Sequence, residues 1–434
     1  MRHDFEGQRV TVMGLGRFGG GVEVTRYLVE QGADVLVTDT ADVEQLRPSL
    51  TKIADLIKSK AVSLRLGGHN VSDFTTRDAV VVNPAVPTPW DNRFVRAAMA
   101  AEKTILTEIA FTVDRIAEHP GHGSLIAVTG TAGKSTTASM IAEGLNAAGM
   151  RVVFGGNIGG SLLNSPDLAS AGAIVLELSS AQLHWLGQTQ LAPRVAVVTS
   201  FAPNHVDWHG SLFHYRQCKQ SLLKHAGHAV LGPSVLDWPS PGERTAVPDP
   251  ENIELRIPGA HNRLNAGLAL AAIRAFGINN PLASEAISVF PGLPHRLQRV
   301  DGAGAHKGLT VFNDSKSTTP EATALALAAL SDSGQKRVHL IAGGYDKGVD
   351  LSPMLARASN VAGVYAIGAT ASKLVSITSG ALRCDTLEVA LQAIAAKAKK
   401  GDAVLLSPGC SSWDQFNNYE SRGNAFAELC ERLL

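Results

Sequence analysis

Cysteine is scarce in this sequence. The 434 residues include four, at Cys218, Cys384, Cys410 and Cys430. No two of them form a CxxC pair, so their spacing favours neither a zinc site nor a disulfide framework. Few cysteines without a disulfide pattern fit a reducing compartment, and we therefore expect a cytoplasmic protein.

Long apolar runs are also missing. The N-terminus reads MRHDFEGQRV, with scattered charges and no following apolar segment that would make a signal peptide. No uninterrupted apolar stretch reaches the roughly 18 residues that a membrane span needs. We therefore expect no membrane insertion.

The sequence has no excess of either charge, since 39 basic residues balance 39 acidic ones. Proteins that bind nucleic acid through bulk charge usually carry a clear basic excess, so no nucleic-acid partner is expected. A hydrophobic content of 45% is ordinary for a globular protein. At about 150 residues per domain, the length suggests three domains.

Short apolar runs alternate with helical patterns along the whole chain, which predicts α/β domains with parallel sheets covered on both faces. A loop region is predicted at 232–250, a helix at 263–276 and a linker at 290–295, and domains at 1–106, 107–292 and 293–434. The predicted strands are Val10–Met13, Val35–Val37, Ala79–Val82, Thr104–Leu106, Leu125–Val128, Val152–Phe154, Ile174–Leu176, Val195–Val198, Thr310–Phe312, Val338–Ile341, Val364–Ile367 and Ala403–Leu406.

A glycine-rich turn, Gly14–Gly19, follows the first strand, and Asp39 ends the next one. Glycines there let the backbone approach a phosphate, while the acidic residue can accept a hydrogen bond from a ribose hydroxyl. The pattern alone fits a dinucleotide site, a UDP site or a tight turn without a ligand.

A second glycine turn, Thr129–Thr136, reads TGTAGKST between a strand and a helix. It resembles a P-loop, although Val128 stands where the usual spacing has its first glycine. Backbone N–H groups would hold phosphates, Lys134 would offset their charge, and Ser135 could bind Mg²⁺. A lysine at a helix start opposes the helix dipole unless an anion compensates it, so a site without nucleotide is hard to sustain.

Two polar clusters follow the next strands. Glu177 ends an apolar run, which places its carboxylate at the edge of the sheet where ligands bind. It could hold Mg²⁺, or the Ser179–Ser180 pair after it could simply cap a helix. In 204–209, His205 and Asp207 alternate as paired ligands would.

Further polar loops are predicted in the last domain at 313–318, 343–348 and 405–416, each beginning at the end of a strand. Cys410 lies in the last of them and could be a nucleophile. We reject that interpretation because no histidine lies near it in sequence and the other motifs indicate phosphoryl chemistry.

Eight motifs, in order along nearly the whole chain, together resemble those of the Mur ligases of peptidoglycan synthesis. They are GTxGKST, ELSS.QL, NH.D.H, G.HN..N, LPHR, NDSK.T, GG.DKG and LSPGCSSWDQF..YE.RG. The resemblance implies a UDP-binding Rossmann-like domain, a central P-loop-type ATPase and a C-terminal Rossmann-like domain. The chain departs from the family pattern at Ala132, Ala181 and Asn204, where Asn, Phe and Asp are usual.

The resemblance also implies roles for individual residues. Catalytic roles fall on Lys134, Lys219, His205 and Glu177. ATP contacts fall on Gly130, Thr131, Gly133, Lys134, Ser135, Thr136, Asn262, Asn265, Arg296, Asp314 and Lys316. The UDP-substrate site would include Leu15, Gly16, Asp39, Thr40, Asn157, Ser179 and Gln182. The incoming amino acid would contact Thr318, Lys347, Ser412 and Tyr419, and the metal would contact Ser135, Glu177, His205 and Lys219.

The last motif and the first glycine turn are most similar to the branch of the family that adds D-glutamate. This implies UDP-N-acetylmuramoyl-L-alanine, D-glutamate and ATP as substrates, two Mg²⁺ ions, a carbamate on Lys219 and a monomer. Alternatives are another Mur ligase, a folylpolyglutamate-type ligase or an inactive nucleotide-binding protein. An NAD-dependent dehydrogenase would explain the first glycine turn alone.

Overall fold

The computed structural model describes residues 5–16, 19–118, 124–158, 160–187, 191–247, 253–355 and 360–434. Arg17 and Phe18 of the first glycine turn lie outside these ranges, as do 119–123 of the polar segment before Leu125. The chain forms two compact units, Met1–Asp249 with Leu264–Ala286, and Pro250–Arg263 with Ile287–Leu434. The domain limits near 106 and 292 stay predictions.

The first sheet is parallel and has the strand order β3-β2-β1-β4-β5. All four strands predicted here are confirmed. The prediction missed β3, because its polar, mostly exposed side chains alternate with the apolar ones at a sheet edge. The strands are β1 Arg9–Met13, β2 Asp34–Asp39, β3 Val62–Leu66, β4 Ala79–Val82 and β5 Thr104–Leu106. The helices are α1 Gly20–Glu30, α2 Val43–Thr51, α3 Ala54–Lys58, α4 Ser72–Thr75, α5 Arg93–Ala100 and α6 Glu108–Glu118.

The second sheet is parallel, with the order β11-β10-β9-β6-β8-β7. The predicted loop at 232–250 is wrong in part, because β11 lies inside it and pairs in parallel with β10. The last residues of that loop, 248–250, are outside the described ranges. The strands are β6 Leu125–Thr129, β7 Val152–Gly156, β8 Ala173–Glu177, β9 Val195–Val198, β10 His228–Leu231 and β11 Glu243–Ala246. The helices are α7 Lys134–Ala147, α8 Ser180–Leu186, α9 Val206–His209, α10 Leu212–Ser221, α11 Ala260–Ala275 and α12 Pro281–Ser288.

The third sheet has the order β12-β13-β17-β14-β15-β16. An all-parallel sheet was expected, but the short edge strand β12 runs antiparallel to β13. The strands are β12 Gln298–Arg299, β13 Thr310–Asn313, β14 Val338–Gly343, β15 Val361–Ile367, β16 Leu382–Asp385 and β17 Ala403–Leu406. The helices are α13 Pro320–Asp332, α14 Ala371–Ile377, α15 Leu387–Lys397 and α16 Tyr419–Leu433.

The centre of the second sheet brings three loops together. Strand β6 pairs in parallel with β8 on one side and with β9 on the other. Parallel strands end at the same edge, so the loops after β6, β8 and β9 are neighbours. All five residues of β6 are buried, which gives these loops a rigid base.

No helix among the described residues combines the length and the apolarity needed to cross a lipid bilayer.

Candidate active site

The loop between β6 and α7 depends on two glycines. Gly130 has φ +149° and Gly133 has φ +85°, in the region where side chains are strained. A Cβ atom on Gly130 would lie 2.0 Å from Thr199 Oγ1, and one on Gly133 would lie 2.4 Å from Asn265 Oδ1. The backbone here is therefore close to its neighbours in a way that only glycine allows.

Hydrogen bonds fasten this loop to the segment after β9. The Thr131 amide donates to the Ser200 carbonyl at 2.8 Å, and the Ala132 amide donates to Ser200 Oγ at 3.0 Å. The Thr131 hydroxyl lies 2.9 Å from the Tyr215 hydroxyl on α10. Loop 130–133 is thus held in an open conformation at the start of α7 and is called the cradle below. The N-terminus of a helix attracts anions, so the cradle is placed to bind phosphate.

We expect Gly130→Ala to lower the free energy of unfolding by about 2 to 4 kcal/mol, from the clash with Thr199 and the positive φ together. Urea unfolding measures this change. Gly149→Ala is the matched control, because Gly149 has φ +88° with no atom within 4 Å of an added Cβ. It should cost about 1 to 2 kcal/mol from backbone strain alone. Equal losses in the two variants would contradict the close approach at Gly130.

Lys134 is the first residue of α7, and its Nζ donates to the Thr131 carbonyl at 3.1 Å. Ser135 and Thr136 follow in the same helical turn. All six residues of 130–136 that were predicted to bind ATP therefore lie in the cradle and the first turn of α7. Asn265 on α11 lies against it, since its Oδ1 accepts a hydrogen bond from Thr137 at 3.4 Å.

Glu177 ends β8 and is completely buried. Its Oε1 accepts a hydrogen bond from Asn157 Nδ2 at 2.9 Å. Among the described residues, its Oε2 has no hydrogen-bond partner. Buried polar atoms are nearly always paired, so an orphaned carboxylate oxygen beside a phosphate cradle fits a cation ligand.

Lys219 on α10 has only 1% of its surface exposed. Its Nζ donates to the Gly130 carbonyl at 2.7 Å and lies 4.8 Å from the centre of the Tyr215 ring. Burial and, to a smaller extent, the charge of Lys134 together lower the pKa of Lys219 to about 6, against smaller opposing effects of Cys218 and Glu177. An ammonium is unfavourable there, so the side chain is largely a neutral amine at pH 7.

His205 precedes α9 with φ 50°, a conformation that is uncommon for a residue other than glycine. Partial burial lowers its pKa, and the charge of Lys134 lowers it further. The imidazole is therefore neutral at pH 7 and able to act as a ligand. Asp207, its predicted companion, is exposed and raises that pKa slightly.

Ser179 and Gln182 form a capping box at the start of α8. Ser179 Oγ accepts from the Gln182 amide at 3.2 Å, and Gln182 Oε1 accepts from the Ser179 amide at 2.9 Å. Ser179 and Gln182 therefore cap a helix, as one of the two sequence interpretations proposed for this segment. Glu177 takes no part in this capping box.

A cavity of about 670 Å³ opens beside these loops within the first compact unit. Five of the seven residues predicted for the UDP-substrate site line it, namely Leu15, Gly16, Asn157, Ser179 and Gln182. Asp39 and Thr40 do not line it. The Asp39 carboxylate instead accepts hydrogen bonds from the backbone amides of Gly16 at 3.1 Å and Ala41 at 2.9 Å.

In the second compact unit, Asp314 joins the loops after β13 and β17. Its Oδ2 accepts hydrogen bonds from the hydroxyls of Ser317 at 2.5 Å and Ser407 at 2.7 Å, and its Oδ1 accepts from the Leu297 amide at 2.9 Å. Burial raises the pKa of Asp314 to about 6 despite these bonds.

We expect the contribution of Asp314 to the free energy of unfolding to fall as pH rises from 3.8 to about 6. In that window the folded Asp314 holds a proton that the unfolded one has lost, so the folded state binds more protons. The stabilisation is complete below the window and gone above it, a change of about 3 kcal/mol. Urea unfolding between pH 4 and 7 measures this as the difference in free energy of unfolding between the wild type and Asp314→Asn, which should shift by that amount. The difference between the wild type and the exposed Asp332→Asn should not change with pH, and a pH-independent difference for Asp314→Asn would contradict this assignment.

Arg422 on α16 is 1% exposed and holds the loops after β13 and β17 in place. Its guanidinium donates to the Ser315 hydroxyl at 3.0 Å, the Ser315 carbonyl at 2.8 Å and the Cys410 carbonyl at 3.1 Å. Cys410 is itself buried, and burial raises the pKa of its thiol, which agrees with rejecting it as a nucleophile.

Of the four residues predicted to hold the incoming amino acid, Thr318, Lys347 and Ser412 lie on loops of this unit and Tyr419 begins α16. Lys316 Nζ lies 5.2 Å from the centre of the Tyr419 ring, and Lys347 Nζ lies 5.7 Å from that of Trp413. Ser412 is buried next to Trp413, and Thr318 is half-buried after β13. The charge of Arg296 acts on both Tyr419 and Asp314. Asn262 donates to the Pro258 carbonyl at 2.6 Å.

Comparison with known families and proteins identifies the family of this chain. Family models match residues 8–107 (Mur ligase MurD-like, N-terminal domain), 128–232 (Mur ligase middle domain) and 295–410 (Mur ligase, glutamate ligase domain). The UDP-N-acetylmuramoylalanine–D-glutamate ligase of Koribacter versatilis is 32% identical over 99% of this chain and 98% of its own. The chain belongs to the Mur ligase family. The enzyme of the same name from Zymomonas mobilis is 33% identical over 99% of this Mur ligase and 98% of its own chain.

A solved structure supports the fold of this Mur ligase. The MurF ligase from Thermotoga maritima, in complex with ADP, superposes with a TM-score of 0.54 over 82% of this chain and 95% of its own, at 17% identity. The three-domain α/β architecture predicted from the sequence is thereby confirmed.

The departures from the family pattern occupy different positions in this Mur ligase. Ala132 contributes its backbone to the phosphate cradle, so its side chain is not needed for the bonds to Ser200. Ala181 lines the large cavity. Asn204 Oδ1 accepts a hydrogen bond from the His205 amide at 2.8 Å.

Sequence reasoning missed several residues of the large cavity, among them Asn83, Glu108 and Ser161. Burial raises the pKa of Glu108, whose carboxylate accepts hydrogen bonds from the Ser161 and Thr112 hydroxyls. Glu108 lies two positions after the end of β5, so an acidic residue close to the end of a predicted strand was the available signal.

Proposed function

We propose that this Mur ligase joins D-glutamate to UDP-N-acetylmuramoyl-L-alanine with ATP, through an acyl phosphate, in the synthesis of a peptidoglycan precursor. One observation carries the proposal. Relatives that are 32% and 33% identical to the chain, over nearly the whole length of both proteins, bear the name of that activity. The cradle, the buried carboxylate and the buried amine supply groups that such a reaction needs.

ATP would place its phosphates in the cradle of 130–133. Backbone amides and the positive end of α7 would hold the β- and γ-phosphates, and the Lys134 ammonium would offset the charge that spreads over the transferring group. The contacts to ATP proposed for Asn262, Asn265, Arg296, Asp314 and Lys316 rest on the resemblance of their motifs.

Mg²⁺ fits the groups beside the cradle. Ser135, Glu177, His205 and a carbamate on Lys219 would hold it, and the orphaned Glu177 Oε2 supports this set. Two Mg²⁺ ions are proposed, which when bound would neutralise charge on the phosphate oxygens. The chain itself supplies a dry, fixed oxygen and a neutral imidazole.

We propose the carbamate on Lys219 because the side chain is a buried amine rather than an exposed ammonium. A neutral amine attacks CO₂, a C–N bond forms, and one proton leaves to solvent. The product is an anionic oxygen ligand in a place where burial and Lys134 disfavour a second cation.

The reaction then proceeds in two steps. A carboxylate oxygen of the L-alanyl group attacks the γ-phosphorus in line, and the bond to the ADP oxygen breaks. The D-glutamate amine attacks the acyl carbon, loses a proton, and the tetrahedral intermediate collapses with release of phosphate. The nucleotide sugar would lie in the cavity lined by Leu15, Gly16 and Asn157, and Lys347 would pair with a carboxylate of D-glutamate.

A phosphate-release assay tests the proposal. Purified protein receives ATP, Mg²⁺ and UDP-N-acetylmuramoyl-L-alanine, and then D-glutamate, L-glutamate, L-alanine or meso-diaminopimelate in turn. We expect sustained release only with D-glutamate, and none without the nucleotide sugar. Preference for another amino acid would indicate a sister ligase, and no release with any would indicate an inactive nucleotide-binding protein.

We also propose that the enzyme acts as a monomer in the cytoplasm, where ATP is available. Sedimentation at micromolar concentration tests the first part, since a mass of twice 45.6 kDa would contradict it.

A further inference from the structure

A group of two imidazoles and a thiol lies in the middle domain, outside the groups used above. His184 is on α8, and His214 and Cys218 are on α10. One ligand atom from each of the three lies within 4.8 Å of the other two. These three residues are called the His–Cys cluster below.

Two of the three distances within the His–Cys cluster are close to those around a tetrahedral ion. His184 Nδ1 lies 3.1 Å from His214 Nε2, and Cys218 Sγ lies 3.4 Å from the same nitrogen. Zinc bonds of about 2.0 Å to nitrogen and about 2.3 Å to sulfur place tetrahedral neighbours about 3.3 Å (N–N) and about 3.5 Å (N–S) apart. These two distances therefore reach tetrahedral values after a shift of a few tenths of an ångström, and the third pair, His184 and Cys218, lies within 4.8 Å.

Local structure presents these ligands together. His214 and Cys218 are four residues apart on α10, so they share one face of the helix, and α8 packs against α10. Ser211 Oγ caps α10 by accepting a hydrogen bond from the His214 amide at 3.2 Å. Two of the three ligands are thus fixed by one capped helix.

A buried histidine orients the central ligand. His209 is 2% exposed, its Nδ1 lies 3.0 Å from His214 Nδ1, and its Nε2 lies 2.9 Å from Ser180 Oγ. If His214 Nδ1 donates to His209, then His214 Nε2 keeps its lone pair for an ion. Metal-binding histidines are usually held in this way by a partner on the other ring nitrogen.

The His–Cys cluster is accessible and chemically soft. It borders a cavity of about 320 Å³ that is also lined by Gln217 and Lys224. Burial lowers the pKa of His184 to about 4, so its ring is neutral at pH 7. Imidazole and thiolate ligands suit Zn²⁺, whereas Mg²⁺ prefers oxygen.

We propose that His184, His214 and Cys218 form a second metal site, for a thiolate-binding divalent ion of the Zn²⁺ class, separate from the Mg²⁺ ligands. On binding, the Cys218 thiol loses its proton to solvent, and a water completes the tetrahedron. The ion would tie α8 to α10, the helix that carries Lys219. Cysteine spacing gave no hint of this site, because its ligands come from two helices.

A Co²⁺ titration of the full chain tests the site without measuring ligase activity. With Mg²⁺ in excess to occupy the oxygen ligands, Co²⁺ should give a thiolate-to-cobalt charge-transfer band that saturates at one ion per chain. Zn²⁺ should abolish the band and further Mg²⁺ should not. Cys218→Ser should lose the band, and Cys384→Ser, a matched buried cysteine of the other compact unit, should keep it.

His209→Gln tests the orienting role. We expect the dissociation constant for Co²⁺ to rise about 10- to 100-fold while the band itself remains. Absence of a thiolate band in the wild type, or its persistence in Cys218→Ser, would overturn the site. Circular dichroism of each variant shows whether it is folded, and an unfolded Cys218→Ser is replaced by Cys218→Ala in the same titration.

Discussion

Lys134→Ala should lower kcat by at least about 10³-fold. Lys134 begins α7 beside the cradle, and in the proposed reaction its ammonium faces the charge that develops on the transferring phosphoryl group. Removing one preorganised hydrogen-bond donor typically lowers kcat by about 10²- to 10³-fold. Lys134 carries a full positive charge next to the phosphates, so we expect its removal to lower kcat by at least the upper value. Steady-state phosphate release with saturating substrates measures the effect.

The exposed Lys336→Ala is the matched control for Lys134→Ala, since it removes the same charge from a surface position. Its kcat should stay within about twofold of the wild type, because exposed charges are screened by solvent and salt. A Lys134→Ala enzyme with more than a tenth of wild-type kcat would contradict the role of the cradle in phosphoryl transfer.

Lys219→Ala should lower kcat by about 10²- to 10³-fold, because it removes a buried ligand next to Gly130. Short carboxylates such as formate or acetate should restore part of the activity, since they can occupy the space of the missing carbamate. The assay is phosphate release with and without these anions.

Lys219→Arg separates the carbamate from a simple need for positive charge. Arginine stays protonated and forms no carbamate, so this variant should be as slow as Lys219→Ala and should not respond to carboxylates. Wild-type activity in Lys219→Ala would remove Lys219 from the mechanism, and activity in Lys219→Arg would exclude the carbamate.

The central strands could be predicted from sequence because they are buried on both faces and read as continuous apolar runs. Several strands at or near the sheet edges could not, although the edge strands β5 and β7 could. β3 and β11 carry mostly exposed, polar side chains, and β12 has two residues, so none gives a run that stands out. Their pairing depends on the neighbouring strand already being in place.

The phosphate cradle could be predicted because its glycines and the lysine and serine that follow lie close together in the sequence. Glu177 followed from its place at the end of a strand. Asp39 shows the limit of the method, since an acidic residue in the expected position holds backbone amides of its own turn.

Side-chain contacts made by residues on helices could not be predicted from the sequence. Arg422 fixes two loops from a helix near the end of the chain, and His209 contacts His214 and Ser180. Neither has a spacing that predicts its partner, because the contacts depend on how helices pack and not on periodicity. Ser179 and Gln182 both cap a helix and line the cavity, so a structural interpretation and a functional one were not exclusive.

Transfer of a labelled oxygen tests the central claim most directly. UDP-N-acetylmuramoyl-L-alanine with heavy oxygen in the alanyl carboxylate is incubated with ATP, Mg²⁺, D-glutamate and the enzyme, and the released phosphate is analysed by mass spectrometry. An acyl phosphate requires that one carboxylate oxygen leaves with the phosphate, so each phosphate formed should carry one labelled oxygen. Phosphate released without the label, while the amide product forms, would contradict activation of the carboxylate by ATP.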